Sequence, residues 1–396
     1  MSRYRIALIS STAEVERLIG MAADPSRGPS AEESPAPSWP LVHARTGGIT
    51  HAVAVYDEER LSLVLPYVPQ TLELPCRLGY ATVASFRLAA LEIPGPAFAG
   101  AREPEALELA LAALLEKNPN ASLYLSSLPE AAPVWRLLRE SPGIRRHGWT
   151  YLPYGSAEYW LLKLEPDFDS YLSRFSGRSR RKLQNTVRRL ESVEGEVSVR
   201  RIARADEVPP LLQHVERVSH RSWQGTRLRR AVRASREMAL RLTAEAERGW
   251  LRSYVLLRGK EPISFVLGRQ VERVYYYDQV GYDPEWSDYS PGKVLLYRLL
   301  EDLHQHDPPE WLDFGYGDAE YKRFFGTHHE RVVNTYLLRK RPRPAVALSI
   351  HATCAGTSEV VRSLLERFNL RSRARRLLRG FPAARPGAPG RERGTT

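Results

Sequence analysis

The chain has 396 residues, 43% of them hydrophobic, which is enough for two or three domains with sizeable cores. Its two cysteines, Cys76 and Cys354, exclude a disulfide framework and a four-cysteine zinc site, and suit a reducing cytoplasm. The net charge of +12 is concentrated: from Arg339 to Thr396 there are 14 Lys/Arg against 3 Asp/Glu, so the remaining body is almost neutral.

No run approaches the roughly 18 apolar residues of a membrane span, and Met1-Ser-Arg-Tyr-Arg-Ile6 does not read as a signal peptide. Tyr4–Ile9 reads as a strand and the segment through Val15, Leu18 and Ile19 as a helix opened by Ser11 or Thr12. Residues 24–40, dense in Pro, Ser, Ala and Glu, read as a flexible loop. Ile49–Tyr56 and Leu61–Leu65, joined by Asp57-Glu-Glu-Arg60, predict a hairpin. A helix over Pro104–Leu115, a buried strand over Ala121–Ser126 and a helix over Ala131–Glu140 follow. This alternation over residues 1–165 is that of an α/β or α+β domain.

Leu172–Leu190 carries seven Lys/Arg and no acid, with Leu183, Val187 and Leu190 as an apolar stripe. The basic face is either solvated or a site for phosphate or an acidic substrate through Arg178, Arg181 and Lys182, since such cations pair with those oxygens. Val197–Ile202 predicts a strand, Pro209–Trp223 and Ala231–Arg248 predict helices, and Trp250–Leu257, Ile263–Gly268 and Arg273–Gly281 predict three strands. The next helix carries Val294, Leu295, Leu299, Leu300 and Leu303 at helical spacing. At its start Ser290 stands at the N-cap, Pro291 at the first helical position and Gly292 keeps bulk away, while Lys293 adds a charge. Such a start suits an ordinary capped helix, or a phosphate facing its amides and dipole. Trp311–Gly315 and Arg331–Leu338 read as closing strands. Residues 342–396 read as a basic, largely disordered tail with a helix around Ser358–Leu370. The tail is solvated or touches RNA, an anionic surface or an acidic partner. No Walker loop, dinucleotide fingerprint or G-x-S-x-G elbow is present, and His328-His329-Glu330 lacks HExxH spacing, so no metal is predicted.

Three pieces form a pattern together: Ser179-Arg-Arg-Lys-Leu183 with Arg188-Arg-Leu190; Gly281-Tyr-Asp-Pro284 with Tyr289-Ser-Pro-Gly-Lys293; and Leu312-Asp-Phe-Gly-Tyr-Gly-Asp318 with Tyr321-Lys-Arg-Phe324. With the element order of residues 166–338 they resemble an N-acetyltransferase of the GNAT superfamily. The motifs look like the branch named after cellulose-biosynthesis and biotin-related acetyltransferases, related to Fem-type peptidoglycan aminoacyl transferases. The resemblance implies an α/β (α+β) chain of two GNAT-like lobes, degenerate over 1–165 and complete over 166–341. The complete lobe would hold a mixed, mostly antiparallel sheet flanked by helices. Val280, Gly281 and Tyr282 would offer backbone groups to the pantetheine arm of acyl-CoA, acetyl-CoA by default, and Ser290, Pro291, Gly292 and Lys293 would face its pyrophosphate. The usual phosphate loop has two close glycines and this chain only Gly292, which keeps aminoacyl-tRNA as the alternative donor.

Acyl transfer to an amine needs removal of a proton, donors for the oxyanion and an acid for the leaving thiolate. Candidates cluster after Trp311–Gly315: Asp318 or Glu320 to accept a proton from or position the amine, Tyr321 for the thiolate and Lys322 for the oxyanion, with Asp278 in its aromatic strand a further candidate. The resemblance to the family's Asp-x-x-Tyr-Lys pattern singles out Asp318 and Lys322. His220 and Trp223 are implied at the acceptor cleft, and the acceptor class is an amino sugar or a sugar-linked precursor of a surface polysaccharide. A different class of answer is a non-catalytic basic protein that binds RNA or a membrane surface. Oligomeric state is left open.

Overall fold

The computed structural model describes residues 3–22, 51–78, 81–94, 103–153, 155–221 and 234–367. Residues 24–40, Trp223 and the tail beyond 367 lie outside them.

The described strands are β1 (Tyr4–Ile9), β2 (His51–Asp57), β3 (Arg60–Leu78), β4 (Ala81–Pro94), β5 (Ser122–Pro129), β6 (Gly148–Tyr151), β7 (Ser156–Lys163), β8 (Val197–Ile202), β9 (Ser253–Arg258), β10 (Glu261–Val271), β11 (Val274–Tyr282), β12 (Trp311–Tyr316) and β13 (His328–Arg339). They form one sheet in the order β1-β2-β3-β4-β5-β13-β7-β12-β11-β10-β9-β8, with β6 on β13. β4/β5 and β11/β12 pair in parallel and the other neighbours antiparallel. The fold is therefore a mixed α/β sheet flanked by helices.

Each half of the sheet has its own core. Helix Pro104–Lys117 buries Ala106, Leu107, Ala110, Leu111, Leu114 and Leu115, a stripe at three- and four-residue spacing, against β2 to β5. In the other half helix Pro291–Gln305 buries Val294, Leu295, Leu299, Leu300 and Leu303 against β9 to β12. The basic helix Gly177–Glu191 adds its three apolar residues, Leu183, Val187 and Leu190, to that second core and turns its cations outward. Helices Val208–Arg221 and Arg236–Glu247 cover the other face of β9 and β10.

Three findings differ from the sequence expectation. β3 runs on to Leu78 through Pro66, Pro69 and Pro75, residues that argue against a long strand, and its partner β4 has no counterpart in the sequence reading. β6 and β7 were not expected either. The tail does not begin at 342: Pro342–Arg367 form a helix seated on β3, with His351 buried and Leu348 packed beside Leu74, Tyr336 and Leu338. Its starting proline suits a first helical turn, and tertiary packing supplies what its weak periodicity does not.

Strand pairing also crosses the boundary drawn at 165/166. β7 lies between β13 and β12, and β13 lies between β5 and β7. Among the described residues no helix is long and apolar enough to cross a membrane.

Candidate active site

β11 and β12 are hydrogen-bonded neighbours only at Val274–Trp311, Tyr275–Leu312 and Tyr276–Asp313. β11 continues to Tyr282 and β12 to Tyr316, so the strands part after Tyr276 and leave a wedge with one backbone edge of each strand outside the ladder. On the other side of β11 the register with β10 slips at Leu267/Gly268, leaving Asp278 as the extra residue of a bulge. Val280, Gly281 and Tyr282 lie beyond it along the open edge. A Cβ on Gly281 would sit 2.5 Å from the Phe265 ring, so any larger residue there must displace that ring. The rings of Tyr277, Phe314 and Tyr321 pack together on the helix side of the wedge, with centroids 5.5 to 6.2 Å apart.

The helix beyond the wedge starts differently from the sequence expectation. Ser290 occupies the N-cap position with a left-handed backbone (φ 53°), and its hydroxyl makes no capping bond. Its carbonyl instead accepts the Lys293 and Val294 amides at 2.9 and 3.2 Å. Pro291 has no N–H, so Gly292 supplies the one unclaimed amide of the opening turn. Lys293 Nζ meets Glu320 at 3.1 Å, which engages two candidates with each other.

Beside this start an open groove of about 680 Å³ is lined by Arg178, Arg181, Lys182, Asn185, Thr186, Arg189, Asp288 and Ser290. Arg178, Arg181 and Lys182, singled out from sequence, thus meet Ser290 at one place. Sequence reasoning missed Arg189, although it falls on the same helical face as Arg178, Lys182 and Asn185. Arg189 is braced: it donates to the Asp288 carbonyl at 2.6 Å and lies over the Tyr289 ring. Among the described residues Arg178, Arg181 and Lys182 have no acidic partner.

The catalytic candidates are sorted by their partners. Lys322 is buried, 6% exposed, and its Nζ donates to the Gly315 and Tyr316 carbonyls at 3.1 and 2.5 Å. Burial lowers its pKa to about 8, against the opposing pull of Asp313 and Asp318. Tyr321 is half-buried, and burial raises its hydroxyl to about 12. Asp318 is in an ion pair with Arg323, which holds its carboxyl below the usual range. Asp278 does not stand free in the wedge either. Arg269, 2% exposed, reaches it at 2.9 Å and reaches the buried Glu245 at 2.9 Å with its other nitrogen. Arg323 thus holds Asp318 in its charged form, a poor proton acceptor but able to position an amine, and Arg269 holds Asp278 at the bulge.

His220 is exposed at the end of its helix, 3.7 Å from Glu216. Its neighbour Arg221 is the anchor, at 3.1 Å from the buried Asp283. His328 and His329 pack against Trp311 and Trp160.

Residues 177–323 match the family model described as an acetyltransferase (GNAT) domain. No protein of curated function matches the chain. Among solved structures, FemX superposes with a TM-score of 0.55 at 10% identity, covering 87% of this chain and all of FemX. A tandem GNAT protein from the clavulanic acid biosynthesis pathway gives 0.46 at 10% identity, over 85% of this chain and 99% of that one. A GCN5-related N-acetyltransferase from Kribbella flavida gives 0.35 at 11% identity, over 63% and 81%. Residues 177–323 are thus similar to GNAT acetyltransferase domains, and the chain shares its fold with FemX.

Proposed function

We propose that the protein is an N-acyltransferase that takes an acyl group, acetyl by default, from acyl-CoA and places it on an amine. The observation that carries this is the β11/β12 wedge opening beside a groove with three cations that have no acidic partner among the described residues. The residues fit such a donor. Val280 and Gly281 offer an open backbone edge to an extended amide-bearing arm, and Arg178, Arg181, Lys182 and the Gly292 amide offer donors to phosphates. When bound, the thioester supplies an activated acyl group and a thiol leaving group.

The chain's own residues then divide the work. Protonated Lys322 offers its charge to an oxygen that becomes negative, and is positioned by two carbonyls. As the amine nitrogen bonds the acyl carbon and the carbon–sulfur bond breaks, Tyr321, which keeps its proton at neutral pH, gives it to the departing sulfur, and the proton shed by the amine replaces it. The acceptor class, an amino sugar or sugar-linked precursor, rests on the resemblance to the surface-polysaccharide branch.

One observation favours a second reading within the same fold. The helix start keeps a single free amide, so phosphate recognition falls on a basic helix that would also suit the backbone of an aminoacyl-tRNA. Calorimetric titration separates the two. The first reading expects saturable acetyl-CoA binding, weakened on the order of tenfold or more by Arg178→Ala, Arg181→Ala and Lys182→Ala together. Binding of charged tRNA alone, falling steeply with salt, would replace it with the second. A protein that binds only RNA or anionic vesicles, and loses both on deletion of residues 368–396, would be a non-catalytic basic protein.

A further inference from the structure

The wedge has two faces, and the residues above account for one. Leu312 and Phe314 belong to the core under helix Pro291–Gln305, so Asp313 between them points to the opposite face. There Tyr159 packs against Leu161, Tyr276 and Trp311. On this second face a chain of polar groups crosses the seam of the sheet. Tyr159 donates to Asp313 Oδ2 at 2.5 Å, while the Gly315 amide donates to Asp313 Oδ1 at 2.6 Å. The Tyr159 and Tyr316 rings meet edge to face at 5.2 Å. The Tyr316 hydroxyl donates to Asn334 Oδ1 at 3.0 Å and touches the Ser127 hydroxyl, and the Ser127 amide reaches the same Asn334 oxygen at 2.8 Å.

Three features set this patch apart from ordinary sheet surface. Ser127 is held at φ 55°, a conformation that disfavours a side chain and marks local strain. It sits where β5 bulges against β13, between Leu125–Thr335 and Leu128–Val333. Tyr316 is 42% exposed, yet its hydroxyl is aimed along the surface at its partners. The patch is also wired to the wedge, because Lys322 Nζ donates to the Tyr316 carbonyl.

We propose that Ser127, Tyr159, Asp313, Tyr316 and Asn334 form the acceptor subsite, and that it selects amines bearing several hydroxyls. This rests on the acyltransferase reading. The phenols, the amide and the serine can each exchange their mutual bonds for bonds to a polyol, while Asp313 accepts from hydroxyls. Opposite faces of the sheet would then hold the donor's phosphates and the acceptor's hydroxyls, with Lys322 between them. Ser127 belongs to the first half of the chain, so that half supplies part of the site rather than only supporting it.

The test uses D-glucosamine and cyclohexylamine as acceptors, with acetyl-CoA, followed by thiol release. Saturation-transfer NMR of glucosamine with the donor omitted is run in parallel. Glucosamine is expected to bind without donor and to be preferred over cyclohexylamine. Tyr316→Phe, which removes one oxygen, and Asn334→Leu should each cut that preference about tenfold through KM. An unchanged preference in both variants, equal loss for both amines, or no glucosamine signal would overturn the proposal. Failure of acetyl-CoA to bind would instead sink the donor reading, and the donor-free NMR would still decide the subsite.

Discussion

At the residue scale, Lys322 makes the most exposed prediction. Its pKa of about 8 in the folded protein lies below its ordinary 10.5 because burial disfavours the charge. If the protonated form serves the oxyanion, kcat should fall as pH rises through about 8. Lys322→Arg, which stays charged, should move that limb upward. The linkage has a definite sign. Between about 8 and 10.5 the unfolded chain holds a proton that the folded chain has lost, so this site's contribution to stability rises with pH across that window. Denaturant titrations of Lys322→Met at pH 7 and 10 should lack the rise seen in the parent; an identical pH dependence would place the ammonium in water. Gly281 is the second residue with a sharp consequence. Gly281→Ala drives a methyl into Phe265 at 2.5 Å, which should cost about 1–3 kcal/mol in a urea melt, and Phe265→Leu in the same chain should restore part of it. Full stability in the single variant would mean that the strands part more freely than their register indicates.

At the element scale, the basic helix separates stability from binding. Leu183, Val187 and Leu190 are its buried residues, so Leu190→Ala should cost about 2–5 kcal/mol while Arg181→Ala stays within roughly 0.5 kcal/mol of the parent. Loss of stability on removing the cations would make them structural and empty the groove of its proposed role. This helix was legible in the sequence because its polar and apolar residues recur at a clear 3.6-residue period, and so were the hairpin from β2 to β3 and the strand–helix–strand run from β11 to β12. β4 and β7 were not. In β7 the apolar residues do not alternate, in β4 the alternation at Phe86 and Leu88 changes phase before Leu91 and Ile93, and Pro66, Pro69 and Pro75 hide the length of the β3 that β4 pairs with. The missing β7 took Tyr159 with it. Asn334 lay in a predicted strand but had no recognisable partner, since its meeting with Ser127 spans 207 positions. Tyr321, Lys322 and Arg323 stood next to one another in a motif with Asp318, whereas Arg269 meets Asp278 only through the bulged register of β10 on β11, which no local pattern encodes.

At the scale of the whole molecule, β13 decides how the two halves behave. It follows the GNAT-like segment in the chain, yet Val333 and Leu337 are buried in the core of the first half. The same strand pairs with β5 on one edge and β7 on the other. Neither half can therefore release β13 without exposing unpaired backbone in the other, and the cost of that exposure couples them. Leu337→Ala should remove about 2–5 kcal/mol from the first core. If coupling through β13 holds, hydrogen exchange monitored by mass spectrometry should show protection falling together in β5, within the first half, and in β11 and β12, which carry the wedge. Calorimetry of the full chain should show one transition whose van't Hoff and calorimetric enthalpies agree. Loss of protection confined to β2 to β5, with an unchanged second transition, would show that the halves unfold separately. The subsite shared by Ser127, Tyr316 and Asn334 would then bridge two mobile bodies, and its polar chain would have to form anew at each binding event. With coupling, the same residues are held in register before any ligand arrives, which is the condition under which hydrogen bonds across a seam add selectivity rather than ordering cost.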